Sequence, residues 1–171
     1  TSLKTKKRRR TDMNVIKRQS IANWISLGTL IFALIGFILY AVNIGSAGYF
    51  NGLTVSSLVT WGVIAMVLVV VTIAMAQFSF DGIVGKVYGI VLDALRILIP
   101  LLLFIAMFAF ISSRVEGLAY IYFSNPDVLE TIQTPENLAS ATTAIIGFVF
   151  FGISAFVGII AAFFSAKKNN V

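Results

Sequence analysis

The sequence predicts an all-α integral membrane protein, a four-helix bundle with both termini in the cytoplasm. Three observations carry this. Four apolar stretches, residues 21–42, 53–76, 87–113 and 139–166, take up most of the 171-residue chain, and each reaches the roughly 20 residues needed to cross a hydrocarbon core about 30 Å thick. Hydrophobic residues make up 58% and charged residues 12%, with a mean hydropathy of +0.95, far from the balance of a soluble globular domain. The apolar runs are continuous, whereas a transmembrane β-barrel would show short alternating segments.

The remaining segments follow from these spans: a basic N-terminal segment (1–20), a transmembrane domain (21–166) with an outer segment (114–138), and a short tail (167–171). Lys4, Lys6, Lys7, Arg8, Arg9, Arg10, Lys17 and Arg18 precede the first span. Lys86 lies between spans two and three, and Lys167 and Lys168 follow the fourth. With four spans all three regions share one side, leaving Arg114 opposite with Glu116, Asp127, Glu130 and Glu136. The positive-inside rule puts the basic side in the cytoplasm of a plasma membrane. The basic head is also expected to attract anionic lipid, at about 1 kcal/mol per residue near the surface. A nucleic-acid role for the basic run 4–10 does not suit a polytopic chain. The first span is longer than the 7–15 residues of a signal-peptide core and reads as a retained anchor.

Helix one is expected to open near Ser20 or Asn23. Trp24 and Tyr40 sit at its two interfaces, where one end of the ring is apolar and the other wet. Residues 43–52 hold Gly45, Gly48, Gly52 and Asn51 and predict a tight turn tipped by Tyr49 and Phe50. Helix two carries β-branched residues that elsewhere favour strands, but hydrocarbon requires backbone groups to be satisfied internally and so enforces a helix. Gln77, Ser79 and Asp81 end it. The short link makes helices two and three antiparallel neighbours, and Gly82, Gly85 and Gly89 weaken the start of helix three. Within the outer segment, residues 118–123 are apolar and aromatic, expected on the membrane surface or folded onto the bundle. Asn125-Pro126-Asp127 has the order cap, proline, acid that starts a helix, which predicts a short helix from Pro126 to about Ile132. Thr134-Pro135-Glu136 repeats that order and launches helix four. There Ser140, Ala144, Gly147, Ser154, Gly158, Ala161 and Ser165 recur three, four or seven apart and form one stripe. Small residues let backbones approach closely, which favours helix association in lipid. The stripe is expected to meet the chain's own bundle, with a second chain as the alternative. Val149, Phe156 and Phe163 suit the lipid-facing side.

Cysteine and histidine are both absent. Thiol redox chemistry, histidine-ligated haem, Cys/His zinc and histidine proton relays are therefore excluded, and no cofactor is expected. Asp93 and Arg96 are the ionised pair inside an apolar stretch, three residues apart on a shared helix face. Pro100 cannot bond the carbonyl of Arg96, so a bend is expected there. Two readings compete. In the favoured one the pair lies at the cytoplasmic edge, where Arg96 snorkels to water. In the other it is buried and functional, as in a transporter site built on a broken helix. Ser165 and Lys168 have the Ser-x-x-Lys spacing of some acyl-enzymes but no partner motif. The outer acids match no metal loop.

The basic head, the aromatic segment Tyr120-Ile121-Tyr122-Phe123 and the small-residue final helix ending in lysines resemble, in layout, the uncharacterised small four-span membrane proteins of bacteria. That resemblance implies no activity. Tight-junction tetraspans carry paired cysteines that are missing here, and small drug exporters carry a glutamate in their first helix where this chain has no acid. The expectation is a non-enzymatic accessory, scaffold or sensing subunit of a larger membrane assembly, in which a membrane-protein partner or a homo-oligomer joins the lipid contacts. The alternative is a small oligomeric transporter or channel using Asp93, Arg96 and Pro100.

Overall fold

The computed structural model describes residues 20–78, 80 and 82–164. The basic head, Lys167, Lys168 and Ser165 lie outside the described residues. Among the described residues five helices follow one another: α1 (Ile21–Gly45), α2 (Ser56–Met75), α3 (Gly82–Phe123), α4 (Pro126–Ile132) and α5 (Pro135–Phe163). All but α4 are long and apolar enough to cross a membrane. They form an up-and-down bundle in which α1 and α3 each pack on both α2 and α5, so α1 and α3 run parallel along a diagonal. Three starts are capped by side chains. Ser20 accepts the N–H of Asn23, Asn125 that of Val128 and Thr134 that of Asn137, with Pro126 and Pro135 in the first turns of α4 and α5.

One rhythm governs burial. On α1 the buried positions include Ala22, Ser26, Thr29, Ala33, Gly36, Tyr40 and Asn43. On α2 they are Leu58, Gly62, Ala65, Val69 and Thr72. On α5 they include Ser140, Ala144, Gly147, Phe151, Ser154, Gly158 and Ala161. Steps of four and three alternate, which is the 3.5-residue period of left-handed supercoiled packing. Helix α3 keeps it through Leu92, Arg96, Ile99, Leu103, Ala106 and Phe110, then takes a second step of four to Arg114 before Gly117 and Ile121. A three-four-four step locally unwinds the supercoil. Phe110 anchors the centre, its ring 4.7 Å from that of Phe148, 5.3 Å from Tyr40 and 6.4 Å from Phe151.

Helix α3 differs from the span expected at 87–113. It runs for 42 residues, about 63 Å of helix, and absorbs the first part of the outer segment. The reason is Arg114: its side chain is bonded inside the bundle, so the helix continues past it while Gly117 and Ile121 extend the buried stripe. Beyond that point the 46–55 loop, α4 and the first turn of α5 form a small cap. Gly48 takes φ +134°, and a Cβ there would lie 2.6 Å from the carbonyl oxygen of Glu136. Gly117 leaves room for the rings of Phe50 and Tyr49, each with an atom 2.5 Å from where its Cβ would stand. The Tyr40 hydroxyl accepts the Val55 N–H at 2.6 Å and so holds the approach to α2. Gln133 Nε2 donates to the Ile121 carbonyl at 3.0 Å, and Asn137 Nδ2 to that of Ile132 at 2.8 Å.

Candidate functional site

Among the described residues, Arg96 and Arg114 are the cations that the fold buries, 3% and 1% exposed. They stand 18 residues apart on α3, which is five turns at about 3.6 residues each, so both point the same way from levels about 27 Å apart. The stretch between them, from Ile97 to Ser113, carries no charge. That separation is close to the hydrocarbon thickness of about 30 Å, so each arginine marks one edge of the apolar zone.

The two are held by one device. Arg114 Nε donates to Asn43 Oδ1 at 3.1 Å, and its Nη2 donates to the carbonyl of Leu53. The guanidinium lies 4.8 Å from the centre of the Phe50 ring and 5.6 Å from that of Phe110, a cation–π arrangement. Asn43 Nδ2 passes the connection on, donating to the Ser140 carbonyl at 2.8 Å. At the other level Arg96 Nη2 donates to Asn23 Oδ1 at 2.7 Å, and Nη1 to the carbonyl of Phe164 at 3.2 Å. Asparagines near the two ends of α1 thus meet arginines near the two edges on α3, in matching order because the helices are parallel. Each clamp joins the α1–α3 diagonal and adds a third element: the α5 end through Phe164, and the α1–α2 loop through Leu53. Hydrogen bonds to a charged group contribute roughly 1.5–3 kcal/mol each.

Asp93 and Arg96 stand together at one edge of the apolar zone, but the fold turns them differently. Asp93 is exposed, whereas Arg96 turns inward. A three-residue step leaves two side chains about 60° apart round a helix, enough at the rim of a bundle to put one outside and one inside. Arg96 therefore does not snorkel either, because Asn23 and the end of α5 give it polar partners within the protein. Pro100 is buried inside an uninterrupted α3, beside Gly158 and Thr29 of the neighbouring helices. On α5, Ser140, Ala144, Gly147, Ser154, Gly158 and Ala161 are buried. Ser154 Oγ donates to the Thr29 carbonyl at 2.7 Å, and Phe151 fills the gap in the small-residue stripe. Val149, Phe156 and Phe163 are exposed.

Arg114, Asn43 and Asn23 are the residues that sequence reasoning undervalued. Arg114 stood as an outer charge, and Asn43 as a turn residue. The signal is partial: the α1 stripe of alternating steps ends on Asn43, whereas the same rhythm carried on from Phe110 lands on Ser113, and only the second step of four brings Arg114 inside.

Fold and site together define an all-α membrane bundle in which two arginines are bonded across the helix diagonal to neutral amide and carbonyl dipoles. Comparison with known protein families, with curated proteins and with solved structures finds no match to this chain. Among the described residues no group of His, Cys, Asp or Glu stands together as metal ligands would.

Proposed function

We propose that this chain is a non-enzymatic accessory or scaffold subunit, or a sensing one, of a larger membrane assembly. In this reading it sits in a bacterial plasma membrane with both termini cytoplasmic and the basic head on anionic lipid. The observation that supports it is the use made of the buried charge. Both guanidinium groups are bonded to Asn23, Asn43 and main-chain carbonyls, so they tie helices together and leave little to bind a solute. The surface offered to lipid and partners is apolar, with Trp61, Val67, Phe108, Phe156 and Phe163 exposed. In gentle detergent, the full-length chain is expected to run as one particle at fixed stoichiometry with another membrane protein, and liposomes holding the purified chain alone to show no more flux than protein-free ones.

The rival is a small oligomeric transporter or channel. It is favoured by a proline in the middle of α3 with Asp93 and Arg96 within two turns of it. Ion or solute flux that is lost in Asp93→Asn would replace the accessory reading with this one.

A further inference from the structure

We infer that Arg96 binds one internal water molecule in the bundle interior, among α1, α2, α3 and α5, as a permanent part of the fold. Arg96 Nε is a buried donor with no hydrogen-bond partner among the described residues. Beside it is a cavity of about 10 Å³ lined by Ser26, Thr29, Arg96, Gly158 and the buried apolar residues Val69, Ile99 and Ala161. That volume is at the lower bound for one water, roughly 10–15 Å³, provided two to four polar partners surround it.

The polarity of those partners selects the occupant. The other guanidinium nitrogens already donate, Nη1 to the Phe164 carbonyl and Nη2 to Asn23. Ser26 Oγ donates to the Ala22 carbonyl at 2.8 Å and Thr29 Oγ1 to that of Ile25 at 3.3 Å, so both hydroxyls present lone pairs to other partners. One donor facing two acceptor hydroxyls suits a neutral molecule that both accepts and donates, and a cavity of about 10 Å³ admits nothing larger than water. Water accepts once and donates twice, which completes the set.

The test uses the sign of a cavity-filling change. Gly158→Ala puts a methyl group on the cavity wall, where its Cβ would stand 3.4 Å from Pro100 Cβ and 3.4 Å from Thr29 Cγ2, ordinary contact distances. A methyl that only fills space in a helix is expected to raise stability, and Gly28→Ala, whose Cβ would stand 3.7 Å from Val157 Cγ1, is the control for that outcome. A methyl that expels the water strands Nε and lowers the thermal midpoint of the detergent-purified full chain, by roughly 2–4 °C. In an Arg96→Met background the donor is gone, and Gly158→Ala then raises the midpoint. Should the Arg96→Met protein fail to fold, a density map resolving ordered water decides, with a peak expected within hydrogen-bond distance of Nε. A raised midpoint for Gly158→Ala alone, an unchanged sign in the Met background, or a well-ordered Arg96 with no such peak would overturn the inference.

Discussion

At the scale of single residues, the molecule turns on what it does with Arg96 and Arg114. A bare charge at the bilayer centre is unfavourable by about 3 kcal/mol or more. Both arginines avoid that by standing at the edges of the apolar zone and meeting an asparagine and a carbonyl. Asn43 is the more exacting position, since it accepts from Arg114 and donates to Ser140. Asn43→Ala is expected to lower unfolding free energy in detergent by about 2–3 kcal/mol, because it leaves a buried charged donor short of a partner. Chemical denaturation checks this, and a loss under about 0.5 kcal/mol would show that Arg114 finds other support. Asp93→Asn is expected to change stability by less than about 0.5 kcal/mol, because the side chain is exposed and away from the core.

At the scale of elements, three capped helix starts were legible, whereas α2 and α3 begin at Ser56 and Gly82 rather than at 53 and 87, and the end of α3 was not legible. Ser20, Asn125 and Thr134 announce α1, α4 and α5 because a cap is a local interaction between a side chain and an N–H three residues on. The end of α3 is different. Ser113-Arg114 looks like the edge of an apolar run, but continuation of the helix depends on Asn43, Leu53 and Phe50, which are 61–71 residues away in the chain. The α1–α2 loop shows how tightly these ends are fitted. Gly48→Ala combines a left-handed φ with a clash against the Glu136 main chain, which cannot swing aside as a side chain would. We expect it to be destabilising by about 1–3 kcal/mol, whereas Gly45→Ala, with no atom within 4 Å of its Cβ, leaves the thermal midpoint unchanged or raises it. Equal effects at the two positions would mean that the loop is not held against α5.

At the scale of the whole molecule, parallel α1 and α3 carry paired clamps at both edges, while α2 and α5 fill the flanks with a 3.5-residue rhythm. The four-span arrangement puts residues 20 and 164 at the same end of the bundle. Reporter domains fused before Thr1 and after Val171 are therefore expected to read the same side of the membrane, and a tag in the 46–55 loop the opposite one. Opposite readings from the two ends would break the four-span arrangement itself.

The sequence by itself determined the solvent of this chain, the number of its spans, the capped starts of α1, α4 and α5 and the small-residue face of its last helix. All of these depend on local composition and on periodicity within one segment. Only the tertiary structure decided which charges are buried, where α3 ends and which asparagines matter. A guanidinium at the edge of a bilayer is equally at home in water or against a neighbouring amide. The choice between them rests with partners on other helices, whose positions are set by packing.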